Sequence, residues 1–392
     1  MSDRKRVAIV RGSNLNPFEM QSYEPLASAY DITGYAAFKN GYELSRIGFP
    51  VKRLHMPEEY VGGLPWPLNS LAYGLMLPSG MNYRMFGLER ELEDKDILHA
   101  AETYNGYSYQ AARARKGKNK KLALTVWENI PFQSRRSFKR LTSNEPIFKF
   151  IKDNTDIFMA VTDRAKEALV IEGVPEEKIR TVPVGIDASR FRPARDQGTR
   201  ETLGIGDGEF AVLFVGRLTP EKGVYDLLYA LRLLSLDRDT KHVKVIMAGT
   251  GPERENIVRL ARSLGVEDRL KLAGNFSYDE IPRLYNAADA FILPSIPVHF
   301  WQEQFGMVLL EAMASGLPVI STFSGSIPEV VGDAGVLIQP NDPVSIYGEV
   351  RKLAGDPAYC QKLGLAARER VEREFDTGKI AGRIASVYEE LS

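Results

Sequence analysis

Short β-rich apolar runs recur along the chain, separated by longer segments whose apolar positions return at helical spacing. In the first half the runs are KRVAIV, DITGYAAF, VKRL, DILHA, KLALTVW, DIFMAV and KIRTVPV. Such alternation predicts βαβ units, in which a parallel sheet carries helices on both faces. The second half begins the pattern again with FAVLFVG, HVKVIMAG, RLKLAG, DAFILP, LPVIS and GVLI. The expected architecture is therefore α/β, with two Rossmann-like domains facing each other across a cleft. Between them lies PVGIDASRFRPARDQGTRE, rich in proline, glycine and charge. It places the first domain at residues 1–188 and the second at 189–372, with a last helix, 373–392, crossing back onto the first.

Length supports this division, because 392 residues exceed one core of ordinary size. The 51 basic and 51 acidic residues cancel, which argues against a nucleic-acid partner. Cys360 is the single cysteine, excluding an internal disulfide, a thiolate zinc site and a redox pair. MSDRKR is followed at once by VAIV, a strand-like run rather than the apolar stretch of about 7–15 residues that a signal peptide needs. The expected location is the cytoplasm. Tyr60 to Asn82 contains no charge, yet three prolines break it, so it is no membrane span. Either it packs on the protein as a loop and short helix, or it offers peripheral contact to the inner membrane face or another acceptor.

Open α/β sheets bind ligands beyond the carboxyl ends of their strands, which makes residues just after a strand the site candidates. FVGRLTPEKG is such a segment. It sets Arg217 and Lys222 beside Gly216 and Gly223 where a helix begins, and two cations there suit a diphosphate. WQEQFGMVLLEAMASGLPVIS raises a different question, since the apolar pattern from Phe305 to Ala314 predicts a helix buried on all sides with Glu311 in its middle. A buried charge costs several kcal/mol unless something hydrogen-bonds it, so a partner is implied. Backbone N–H groups of Gln304, Phe305, Gly306 and Met307 open that helix and can meet phosphate oxygens, with Gly306 allowing close approach. Glu303 stands just outside. One ligand can touch both carboxylates if it has hydroxyls at each end and phosphates between, the layout of a nucleotide sugar.

Glu303 and Glu311 with seven residues between them, the segment FGMVLLEAMASGLPVI, GRLTPEKG, AGTGPE and VPVGIDASRFRP together resemble retaining glycosyltransferases of family 4, which have the GT-B fold. The resemblance is strong over residues 180–335 and weak in the first half. It implies transfer of a hexose from a nucleoside-diphosphate sugar to a hydroxyl on a glycan, lipid or small molecule, with no cofactor or metal required. By resemblance Glu311 accepts ribose hydroxyls, Glu303 holds the donor sugar, and Arg217 and Lys222 neutralise the departing diphosphate. Gly306, Met307 and Val308 assist through their N–H groups. The base is expected near Gly249, Thr250 and Gly251 and near Asn275 and Phe276. In such enzymes the leaving phosphate takes the acceptor's proton, so electrostatics carries catalysis.

In the first half, His99 ends the run DILHA, where the family often has a histidine contacting the donor sugar; a core histidine is the alternative. Glu128 and Asn129, just past a strand, are acceptor candidates. So is Gly12 in RGSNLNPFEMQSY, where Ser13, Asn14 and Asn16 can cap the next helix. Two DxD triplets, Asp94 to Asp96 and Asp237 to Asp239, precede strands and are expected to face away from the site. RARKGKNKK precedes a strand too and is expected to be a solvated turn. SRRSFKR follows one, and is either a site for an anionic acceptor or lipid surface or an exposed helix. Two other functions stay open: a nucleotide-sugar 2-epimerase, which shares the fold, and a nucleotide-sugar-binding protein without catalysis.

Overall fold

A computed structural model describes residues 4–76, 83–116, 119–132 and 145–391. SRRSFKR lies outside these residues. The chain forms two compact units, the first made of Met1–Gly185 with Thr377–Ser392 and the second of Ile186–Asp376.

Every apolar run singled out above is a strand. In unit 1 these are β1 (Arg6–Gly12), β2 (Asp31–Ala37), β3 (Val51–Leu54), β4 (Ile97–Ala101), β5 (Lys121–Val126), β6 (Ile157–Ala160) and β7 (Ile179–Thr181). All pair in parallel, in the order β3-β2-β1-β4-β5-β6-β7. Alternate side chains feed opposite faces. Val10, Leu98 and Leu124 join one apolar cluster with Tyr107 and Phe158. Ile9, Ile97 and Ala123 join the other, which the helix Thr377–Glu390 covers with Ile380, Ile384, Val387 and Tyr388. That helix is amphipathic at the spacing a sheet face requires.

Unit 2 contains β8 (Phe210–Val215), β9 (Val243–Ala248), β10 (Leu270–Gly274), β11 (Ala290–Leu293), β12 (Val319–Thr322) and β13 (Val336–Ile338), in the order β10-β9-β8-β11-β12-β13. These strands are likewise parallel. The return to unit 1 comes at Thr377 rather than at residue 373. The cause is packing: the helix Pro357–Glu374 buries Gly364, Ala367 and Val371 within unit 2, and a Cβ at Gly364 would stand 2.3 Å from the Gly316 carbonyl oxygen.

Each sheet has one place where strand order reverses, between β1 and β4 in unit 1 and between β8 and β11 in unit 2. Chain segments leaving those strands diverge to opposite faces, and the gap they leave is where ligands of doubly wound sheets sit. Among the described residues no helix is long and apolar enough to cross a membrane. Tyr60 to Met76 forms short helices whose Trp66 and Leu71 side chains are largely exposed; residues 77–82 lie outside the described ones.

Candidate functional site

In unit 2 the loops after β8, β9 and β10 are laced together through backbone. Gly216 N–H donates to Ala248 O at 3.0 Å, Leu218 N–H to Thr250 O at 2.9 Å, and Gly249 N–H to Gly274 O at 2.7 Å. A Cβ at Gly249 would fall 2.0 Å from Gly216 O, and one at Gly251 2.3 Å from Leu218 O. Only glycine permits this approach. Asn275 is exposed and Phe276 half-buried immediately after β10.

At the β8/β11 reversal, Lys222 Nζ lies 2.7 Å from Glu303 Oε2. The same oxygen accepts from Ser295 Oγ at 2.9 Å, and the ammonium sits 4.6 Å from the centre of the Trp301 ring. Both partners are largely buried, their side chains 14% and 10% exposed. Such a pair is expensive to break, since removing one partner strands the other charge. Arg217, by contrast, is 69% exposed and only 3.6 Å from Glu221. Two of the expected cations thus occupy one loop in different states, one clamped and one in solvent.

Gly306 N-caps the helix Met307–Ala314 with φ +88°, a left-handed geometry that suits glycine. No side chain caps this end among the described residues, leaving the N–H groups of Met307 and Val308 as donors for an anion. Phe305 contributes backbone only. Its ring is buried edge-on to Phe375, with centroids 6.2 Å apart.

Glu311 is 5% exposed, as its apolar neighbours require. Its Oε2 accepts a 2.6 Å hydrogen bond from Tyr285 Oη, on the helix Ile281–Ala287. The protein therefore supplies the partner that the sequence left to a ligand. Burial pushes the carboxyl up to about 7, against the pull of the Tyr285 bond and the Arg190 charge. Arg190 itself bonds Tyr278 O at 2.8 Å and Asp279 at 2.6 Å and stacks 4.0 Å over the Tyr278 ring.

In unit 1 the reversal between β1 and β4 is lined by Gly12, Glu102 and the loop after β5. Gly12 turns with φ +56°, and a Cβ there would press the Tyr107 ring at 3.1 Å. Asn16 caps the next helix, its Oδ1 accepting from Glu19 N–H at 2.9 Å. Asn129 is buried, and Glu128, half-buried, accepts from Ile130 N–H at 3.0 Å. Burial raises the Glu128 carboxyl.

His99 is placed differently from the donor-sugar contact that the resemblance implied. It is fully buried beneath the final helix, with Nδ1 2.7 Å from Tyr388 Oη and Nε2 2.8 Å from Thr125 Oγ1. Both ring nitrogens are engaged by unit 1 itself, and burial, then Arg11, hold the imidazole well below its usual pKa and neutral. It is a core histidine tying β4 and β5 to the last helix. Next to it Arg11 is also buried and pairs with Glu19 at 2.8 Å. Burial works against that guanidinium, but Glu19 outweighs it and keeps it charged.

Comparison with known proteins agrees with the fold. Residues 196–370 match the family described as Glycosyl transferases group 1, and residues 39–190 match Glycosyltransferase Family 4. The chain belongs to the GT-B glycosyltransferases. The chain is 32% identical over 246 residues to a D-inositol 3-phosphate glycosyltransferase of Streptomyces bingchenggensis, covering 60% of the chain and 53% of that protein. It is 34% identical over 213 residues to a glycogen synthase of Mycobacterium tuberculosis, covering 54% of the chain and 48% of that protein. The chain thus spans about half the length of the curated relatives it matches. Among solved structures, HepE of Anabaena in complex with UDP and glucose superposes with a TM-score of 0.77 at 19% identity, over 99% of this chain and 100% of that one.

Several residues of the site escaped sequence reasoning. Ser295, which donates to Glu303, stands just past β11, yet was passed over for lack of charge. Tyr285 carried no signal, because what it does depends on which helices pack together, and Arg190 stood inside VPVGIDASRFRP without a role of its own. The DxD triplets are committed elsewhere: Asp94 and Asp96 lie within 4 Å of Arg6, and Asp237 pairs with Arg351 at 3.0 Å.

Proposed function

We propose that this glycosyltransferase moves a hexose from a nucleoside-diphosphate sugar to a hydroxyl acceptor with retention of configuration, unit 2 holding the donor and unit 1 the acceptor. The observation that carries the reading is the Lys222–Glu303 pair at the β8/β11 reversal, next to a helix start without a side-chain cap. Diphosphate oxygens entering there meet the Lys222 ammonium, the Met307 and Val308 N–H groups and the exposed Arg217. Glu303, relieved of part of its partner, accepts from sugar hydroxyls. As the glycosidic bond breaks, negative charge accumulates on the β-phosphate, and fixed cations and N–H dipoles stabilise it more than the ground state. The departing phosphate oxygen then accepts the proton of the attacking hydroxyl on the same face of the sugar. Glu311, in its ionised form, accepts from the ribose hydroxyls. Uridine is the base we assign, because the HepE complex holds UDP and glucose. The acceptor is a carbohydrate, a lipid headgroup or a small polyol.

A thermal-shift panel of UDP, GDP, ADP and TDP with their hexoses tests the donor. A ligand at 100 times its Kd should add about 2.7 kcal/mol of stability. UDP is expected to give the largest shift. Proton NMR of the product then reads the anomeric configuration, and inversion would remove the mechanism. A change in the donor sugar with no acceptor present would instead indicate an epimerase.

A further inference from the structure

Glu102 follows β4 directly, at the strand-order reversal of unit 1. Its φ of +65° lies in the left-handed region that glycine adopts easily and other residues rarely do. Its own N–H continues the sheet ladder to Thr125 O at 2.9 Å, so the unusual backbone is locked in place. The side chain is 7% exposed. Oε1 accepts from Trp127 N–H at 2.9 Å, and the Glu128 N–H also supports the carboxyl. Oε2 is buried and has no hydrogen-bond partner among the described residues.

A purely structural role accounts for only half of this arrangement. Fastening the loop after β5 needs one carboxylate oxygen, and Oε1 does it. Oε2 has given up water and received nothing, which a folded protein tolerates where a ligand completes the contact. A glutamate where glycine would be easier points the same way.

The surroundings identify the ligand. Glu128 from the loop after β5, Tyr104 and Tyr107 from the segment after β4, and Arg11 from β1 are the titratable and charged groups that act electrostatically on the carboxyl. Arg11 spends its donors on Glu19, Val10 O, His99 O, Tyr23 and Thr125. A second carboxyl nearby and a fully engaged arginine disfavour an anion here. Burial pushes Glu102 up to about 8, so it carries its proton at neutral pH and can both donate and accept. That is the complement of a neutral hydroxyl.

We infer that Glu102 binds a hydroxyl of a neutral polyol or sugar at the carboxyl edge of the unit 1 sheet, its Oε2 making the contact. The inference rests on reading unit 1 as the acceptor side, and it narrows the acceptor group at this point to an uncharged alcohol.

The full chain is compared with Glu102→Gln, which keeps both hydrogen-bonding atoms, and Glu102→Gly, which relaxes the backbone and removes the carboxyl. Saturation-transfer NMR and titration are run with glucose, galactose, mannose and myo-inositol in the presence of UDP, and UDP binding is measured separately. At least one sugar or inositol binds the wild type; Glu102→Gln holds it within about threefold and Glu102→Gly loses at least about tenfold, the scale of one buried hydrogen bond. Wild-type affinity declines above pH 8 while that of Glu102→Gln stays level. Undiminished binding in Glu102→Gly, or no binding of any of the four compounds to the wild type, overturns the inference. Loss of UDP binding in every protein would instead sink the donor assignment and leave the hydroxyl site standing.

Discussion

The two sheets present the same topological feature with opposite electrostatics. Where β8 and β11 part, a lysine and a glutamate form a nearly buried pair beside a helix start without a side-chain cap. Where β1 and β4 part, two carboxyls raised by burial lie near an arginine already fully engaged. The parallel sheet dictates where a ligand goes in either unit, and the loops decide its charge. One edge suits phosphate. The other suits an alcohol.

Removing the lysine strikes this contrast hardest. Lys222→Ala should lower kcat/KM by roughly a thousandfold, about 4 kcal/mol of transition-state stabilisation, while circular dichroism reports an unchanged fold. Near-wild-type turnover would leave unit 2 without its distinguishing charge.

The next effect is on stability. Between its ordinary value of 4.5 and about 7, folded Glu311 holds a proton that the unfolded chain releases. Its contribution is therefore complete below 4.5 and falls away as pH rises to about 7, by on the order of 3 kcal/mol. Urea titrations of wild type and Glu311→Gln across this range should converge at low pH and separate at high pH, with the amide more stable.

Nucleotide affinity should move in the opposite sense, because the ionised carboxylate is the better acceptor for ribose hydroxyls. UDP binding by the wild type is expected to strengthen as Glu311 ionises with rising pH. Glu311→Ala should weaken it by about 10- to 100-fold with no such pH dependence. Equal pH profiles in calorimetry would detach Glu311 from the nucleotide. Smallest of all is Asp237→Asn, where turnover, with or without added divalent metal, should stay within about twofold of wild type, as for a change remote from the site.

Much of the fold was legible because most strands are predominantly apolar runs and the longer helices bury a stripe at regular spacing. Val224, Leu227, Leu228, Leu231 and Leu234 on one helix are an instance. Lys222 was legible as a charge in the segment after a strand, and Glu303 as one just outside the start of an apolar helix. Their mutual contact was not, since 81 residues separate them and only the parallel order brings them together. The partner of Glu311 was hidden for the same reason, Tyr285 being one of 17 tyrosines with no local mark of its role. His99 shows the limit from the other side: strand position placed it near the edge, but its burial depends on Tyr388, 289 residues away. Glu102 gave no sign at all. Left-handed backbone announces itself in sequence through glycine or asparagine, and here the chain uses neither.

The helix Thr377–Glu390 caps a sheet whose first strand begins at Arg6. A stop codon at Thr377 would leave every residue of unit 2 in place, yet it would strip Ile380, Ile384, Val387 and Tyr388 from the other unit and expose His99. Ribosomal synthesis meets the same constraint. The β1–β7 sheet cannot reach its finished state until Thr377–Glu390 have emerged, so unit 2 has the chance to mature first.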